Sequence, residues 1–176
     1  MKSVLISIQP KWVEKIASGK NTIEVRKTAP KEVPFKCYIY MTQGTYKDLG
    51  LYSEGVYQNR MKVIGEFICD KVYDILPHND GYKTNQYEMG WKYGEADCCL
   101  SFDELYSYLG DRNGYGWHIT DLKIYDKTKE LSEFCIPCKT NCENCKKPLF
   151  YDCWEEKGRV KLVTRPPQSY MFVEEI

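Results

Sequence analysis

The chain has 176 residues, 43% of them apolar and 14% aromatic, and its 25 Lys and Arg balance 25 Asp and Glu. This size and composition give one hydrophobic core and exclude a disordered chain, a polycation and two large domains. The zero sum hides two opposed regions: residues 1–62 hold 11 basic against 5 acidic side chains, and residues 63–134 hold 7 against 14.

Val4–Ile8 is β-rich, and Pro10 stands where a helix can begin, since its missing amide donor is not needed in the first turn. Trp12, Val13 and Ile16 share one face of a short helix over Lys11–Ser18, which Gly19 ends. Thr22–Arg26 then alternates as a strand, with Ile23 and Val25 on one face and Thr22, Glu24 and Arg26 on a polar face expected to meet solvent. Strands are expected at Phe35–Met41 and Lys62–Val72, separated by a Tyr- and Gly-rich connection over Gly44–Asn59. Ser101-Phe102-Asp103-Glu104 matches a capping box, so Phe102–Leu109 should be a helix stopped by Gly110. Gly114–Ile119 leads into a strand at Leu122–Tyr125, and Pro166-Pro167 into a last strand at Ser169–Glu174. Many short strands with few helices predict an α+β chain folded as a small mixed β-barrel, a single domain over residues 1–176. No run nears the ~20 apolar residues of a membrane span, and Met1-Lys2-Ser3 opens no secretion signal, so a cytoplasmic protein without membrane contact is expected.

Gln9-Pro10-Lys11-Trp12, followed by Ser18-Gly19-Lys20-Asn21-Thr22-Ile23-Glu24-Val25-Arg26, resembles the Gly-x-Lys-x-x-x-Glu-x-Arg signature of ASCH domains, which are similar to PUA RNA-binding domains. Gly116-Trp117-His118-Ile119-Thr120-Asp121-Leu122 and Thr164-Arg165-Pro166-Pro167-Gln168-Ser169-Tyr170 resemble the longer phage and prophage members. The resemblance implies a PUA-like pseudo-barrel whose cleft, between the motif strand and the helix, holds RNA or a modified nucleotide. One ASCH-like branch is an amidohydrolase acting on N4-acetylcytidine. Its lysine and threonine positions correspond to Asn21 and Glu24 here, which argues against that activity, since an amide side chain is neither base nor nucleophile at neutral pH.

Independently of the resemblance, Lys20 and Arg26 can contact phosphates and Glu24 can accept from a base amino group. Trp12 and Trp117 can stack a base or belong to the core. His118 serves either acid–base chemistry or a local hydrogen bond. Arg165, Gln168 and Ser169 surround the rigid Pro-Pro as candidate pocket donors.

Nine Cys is an odd number, and five of them crowd into Cys135-x2-Cys138-x3-Cys142-x2-Cys145-x7-Cys153. Closely spaced Cys pairs present sulfurs to one ion, so a structural zinc knuckle is expected as an insertion over 135–153. The preferred ligands are Cys138, Cys142, Cys145 and Cys153, with Cys135 as the alternate; an iron–sulfur cluster is the other metal reading. Cys37, Cys69, Cys98 and Cys99 read as buried small hydrophobes.

These features describe an RNA- or modified-nucleotide-binding module. The alternatives are a nucleoside amidohydrolase or ribonuclease on the same fold, and a phage protein-interaction factor using the acidic stretch Val63–Phe134.

Overall fold

The computed structural model describes residues 1–44, 58–78, 81–84, 97–137 and 161–176. In chain order the elements are β1 (Lys2–Ile8), α1 (Pro10–Ala17), β2 (Ile23–Arg26), β3 (Phe35–Met41), β4 (Lys62–Cys69), β5 (Val72–His78), β6 (Gly81–Thr84), α2 (Phe102–Leu109), β7 (Gly114–His118), β8 (Thr120–Lys129), a 3-10 turn (Leu131–Glu133), β9 (Phe134–Cys135), β10 (Tyr170–Phe172) and β11 (Glu174–Glu175).

The mixed α+β architecture is as expected, and among the described residues its strands pair into three sheets. One is five-stranded in the order β10-β1-β3-β4-β8, one four-stranded in the order β2-β7-β5-β6, and β11 pairs with β9. β1 and β3 run parallel, with α1 and β2 in the connection between them. The strand expected over Lys62–Val72 breaks at Asp70-Lys71: β4 belongs to the five-stranded sheet and β5 to the four-stranded one. The chain crosses back between β7 and β8 at Ile119.

α1 begins at Pro10 and ends at Ala17 with Ser18 as its C-cap, after which Gly19 takes a left-handed φ of 71° that a residue with a Cβ adopts at a penalty. Its buried Val13 and Ile16 join Val4, Ile6 and Ile8 of β1, alternate residues of β3, and Trp117 in one core cluster. The capping box of α2 is present: Ser101 Oγ accepts from the Glu104 N–H at 3.2 Å, and Glu104 Oε2 accepts from the Ser101 N–H at 3.1 Å. That cap orients Leu105 and Leu109 onto Ile23, Val25, Tyr73 and Ile75, a second cluster on the opposite face of the four-stranded sheet. A third, around Leu5, Tyr38, Tyr40, Phe134, Val163 and Val173, covers the far face of the five-stranded sheet.

β2 is therefore covered on both faces, which overturns the solvent-facing polar side read from its alternation. Glu24 is 8% exposed and Arg26 6%. Among the described residues, no helix is long and apolar enough to cross a membrane.

Candidate functional site

Antiparallel register sets Glu24 opposite Trp117 and Arg26 opposite Tyr115, so these four side chains share the face of the four-stranded sheet turned toward the larger core. The Arg26 Nε lies 3.1 Å from Glu24 Oε1 as an ion pair. Arg26 Nη2–H donates at 2.7 Å to the carbonyl of Ser7, which lies one residue beyond the stretch of β1 that β10 covers. Arg26 thus ties the motif strand to an open edge of the other sheet. Burial raises the Glu24 carboxyl above its ordinary range and the Arg26 charge opposes that shift. Tyr108 of α2 reaches the same pair, with burial raising its phenol and Arg26 opposing; Lys27 Nζ sits 4.7 Å over its ring.

Trp117 Nε1 is a buried N–H with no hydrogen-bond partner among the described residues, whereas Arg26 Nε, which meets no hydrogen-bond geometry, is compensated by the Glu24 carboxylate 3.1 Å away. An unmatched buried donor is costly, so Trp117 Nε1 is a site at which an added acceptor oxygen stabilises the fold. The segment ahead of β10 closes over this region: Ser7 Oγ donates to Pro167 O at 2.7 Å, and Thr28 Oγ1 and Ser169 Oγ hydrogen-bond at 2.9 Å.

The residues expected to act together are only partly assembled. Glu24 and Arg26 pair with each other and Ser169 bonds Thr28, two residues beyond Arg26, whereas Arg165 and Gln168 are exposed on the closing segment. Lys20 is exposed and lies before β2, on a loop where strand alternation does not fix its direction. Asn21 is buried, and its Oδ1 accepts from the Ile23 N–H at 3.1 Å. Trp117 is fully buried, packed edge-on to Phe35 and Tyr170 at 5.0 and 5.6 Å, so it is a core residue and offers no face to a base. Trp12 is half-buried, and the ammonium groups of Lys11 and Lys15 lie 4.4 and 4.7 Å from the centre of its ring.

His118 lies opposite Ile23, whose side chain belongs to the α2 side of the sheet, away from Glu24. Its Nδ1–H donates to Asp70 Oδ1 at 2.7 Å and its backbone N–H to Lys71 O at 3.0 Å. Thr120 Oγ1 donates to Ile68 O at 3.0 Å beside it. The sequence reading missed Asp70, Tyr108, Tyr115, Ser7 and Thr28. Only Asp70, the single acidic residue at the break between two strands, carried a local signal.

Cys37, Cys69 and Cys98 are buried as expected, and Cys99 is half-buried, its Sγ–H donating to Lys20 O at 3.3 Å. Cys138, Cys142, Cys145 and Cys153 lie outside the described residues. Among the described residues, no group of three or more His, Cys, Asp or Glu is placed to hold a metal.

No family model matches the sequence, and no curated protein matches it. Solved structures do. The crystal structure of ASCH from Zymomonas mobilis aligns with a TM-score of 0.57 at 16% identity, covering 98% of this chain and 88% of that one. A tyrosine-to-phenylalanine variant of that protein aligns at 0.55 and a serine-to-alanine variant at 0.56, both at 16% identity, covering 99% and 98% of this chain and 91% and 89% of theirs. The fold is thus of the ASCH type over nearly the whole chain.

Proposed function

We propose that the protein is a nucleotide-binding module that holds a base of RNA, or a modified nucleotide, against the inner face of β2. The observation that carries this reading is the Glu24–Arg26 pair, two charges kept beside each other at the seam of the sheets. A carboxylate acceptor beside a guanidinium donor complements a base edge carrying both an amino group and a carbonyl. In this reading the pair meets the base edge, and the exposed Lys20 and Lys27, before and after β2, are the phosphate contacts. The likeness to ASCH structures and the phage-type motifs support RNA as the polymer. The test is fluorescence anisotropy with single-stranded RNA and DNA of one sequence at low and physiological salt, with free nucleotides as competitors. Selective RNA binding that weakens with salt and competes with a mononucleotide supports the reading. Absence of binding to polymer and nucleotides alike overturns it.

A second reading, an enzyme of the same fold, is favoured by His118, whose Nδ1–H bond to Asp70 orients the ring and puts the lone pair of the neutral imidazole on Nε2, the arrangement a general base needs. Since His118 and Glu24 occupy opposite faces of β2 and β7, hydrolysis of a nucleoside amide or an RNA phosphodiester at this corner would be abolished by His118→Ala and kept by Glu24→Ala. The reverse pattern overturns it.

A further inference from the structure

α2 spends only part of its circumference on the fold. Leu105 and Leu109 face the second core cluster, while Phe102 and Tyr106 on the outer side are 52% and 51% exposed. Four residues apart on a helix, these two are neighbours, and their rings stack at 22° with centroids 6.1 Å apart. Tyr82 of β6, the edge strand of the four-stranded sheet, continues the row. Its ring lies 6.2 Å from that of Phe102, and its hydroxyl donates to the Gly110 carbonyl at 2.6 Å, which holds it in place. Rings from two elements thus form one outward-facing aromatic surface, whose area in water a partner would stabilise by covering.

The charges around these rings are mainly acidic. Between Ser101 and Asn113 the chain carries Asp103, Glu104 and Asp111 against one basic residue, Arg112. Lys11 engages Glu104 at 3.1 Å, whereas the exposed Asp103 and Asp111 make no ion pair among the described residues. Asp103 stands one helical turn before Tyr106, and burial, Tyr106 and Asp111 together raise the Tyr82 phenol, which places Asp111 beside the row. Lys83, next to Tyr82 on β6, alternates to the opposite sheet face. The same helix shows what its rings attract: toward β2, Lys27 Nζ sits 4.7 Å over Tyr108. Among the described residues, no such cation lies over Phe102 or Tyr106.

We propose that the Tyr82–Phe102–Tyr106 surface docks an arginine-bearing segment of a basic protein partner, with guanidinium groups lying flat on the rings and pairing with Asp103 and Asp111. Arginine fits better than lysine because its plane stacks on an aromatic face while its fork reaches a carboxylate. A nucleic acid fits worse: its bases could stack, but its phosphates would meet the two unpaired carboxylates. The surface lies on the α2 side of the four-stranded sheet, away from the face that carries Glu24 and Arg26, so such a partner and a nucleotide do not compete for the same residues.

The test titrates the full-length protein into a fluorescein-labelled glycine–arginine repeat peptide and into its glycine–lysine counterpart, by anisotropy at low and physiological salt. The arginine peptide is expected to bind more tightly. Phe102→Ala and Tyr106→Ala should each weaken it about fivefold, with Tm close to the parent's because both side chains are exposed. Tyr106→Leu, which keeps apolar bulk and loses the ring, should weaken it as well. Asp103→Asn combined with Asp111→Asn should weaken it and flatten its salt dependence, and Lys20→Ala should leave it intact. Equal affinity for the two peptides, no binding of either, or binding indifferent to the ring substitutions overturns the proposal. So does loss of single-stranded RNA binding in Phe102→Ala and Tyr106→Ala, which would give the rings to bases. Self-association of the parent that Tyr106→Ala abolishes in sedimentation would give them to a second copy and overturn it too.

Discussion

His118 and Asp70 join the two places where the chain changes sheets: the imidazole Nδ1 at the end of β7 lies 2.7 Å from the carboxylate that follows β4. Burial raises the Asp70 pKa, but the His118 hydrogen bond and charge outweigh it and hold the carboxyl below its ordinary range. A depressed carboxyl pKa adds stability above the unfolded value of about 3.9, and that stability is lost as pH falls through the folded value. Asp70→Asn should lower stability at pH 7 by about 0.5 kcal/mol, a modest figure because solvent screens this half-exposed pair. Denaturant titrations of parent and variant at pH 7 and in acid should show the difference vanish at low pH.

The Glu24–Arg26 pair behaves differently because it is buried. Removing one member leaves an uncompensated charge, so Arg26→Met should lower stability by about 3 kcal/mol or more in denaturant unfolding. Replacing both, Glu24→Leu with Arg26→Met, should be less damaging than that single change. The pH dependence has the opposite sign to that of Asp70. The Glu24 carboxyl is raised in the folded state, so stability is fully present below about pH 4 and declines as pH rises through the folded value. In Arg26→Met the opposing charge is gone, and the decline toward neutral pH should be steeper than in the parent.

Gly65 is fixed by the approach of β8. A Cβ there would meet the carbonyl oxygen of Lys123 at 2.5 Å and Ile124 at 3.1 Å. Backbone oxygen in a paired strand has little room to retreat, so Gly65→Ala should lower stability by about 1–3 kcal/mol. A thermal melt measures this, and an unchanged Tm would show that β8 shifts without penalty.

Lys20 and Trp117 should separate binding from folding. Lys20→Ala leaves Tm unchanged while weakening RNA and reducing the slope of log K against log salt by about one. Trp117→Ala empties the space between Phe35 and Tyr170 and should lower stability by about 3–5 kcal/mol. Paired melting and anisotropy measurements on the two variants distinguish a contact residue from a core residue.

Much of the fold was legible. Pro10 and Gly19 bracketed α1, Ser101 and Glu104 marked α2, and the β-rich runs at Val4–Ile8 and Phe35–Met41 were strands. The site was less so, for a physical reason visible in β2. Alternation separates two faces but does not say what lies against the polar one, and here Glu24 and Arg26 meet the second sheet, where each neutralises the other. Asp70-Lys71 gave no periodicity signal for a change of sheet because the apolar residues on either side, through Cys69 and from Val72, read as one strand. Trp117 was ambiguous because an aromatic residue in a Gly-flanked strand has the same composition as a stacking platform or a core.

The antiparallel pairing of residues 134–136 with 161–163 makes a stem that brings the chain back from its excursion between them within one strand's width of where it left. The stem is held by its own backbone pairing and by Phe134 and Val163 in the core, and the closure entropy of a segment between two paired strands grows only logarithmically with its length. The position is therefore a natural graft point: trimmed to a short turn, or exchanged for an unrelated sequence, the excursion could change while Phe134, Val163 and Val173 kept their places.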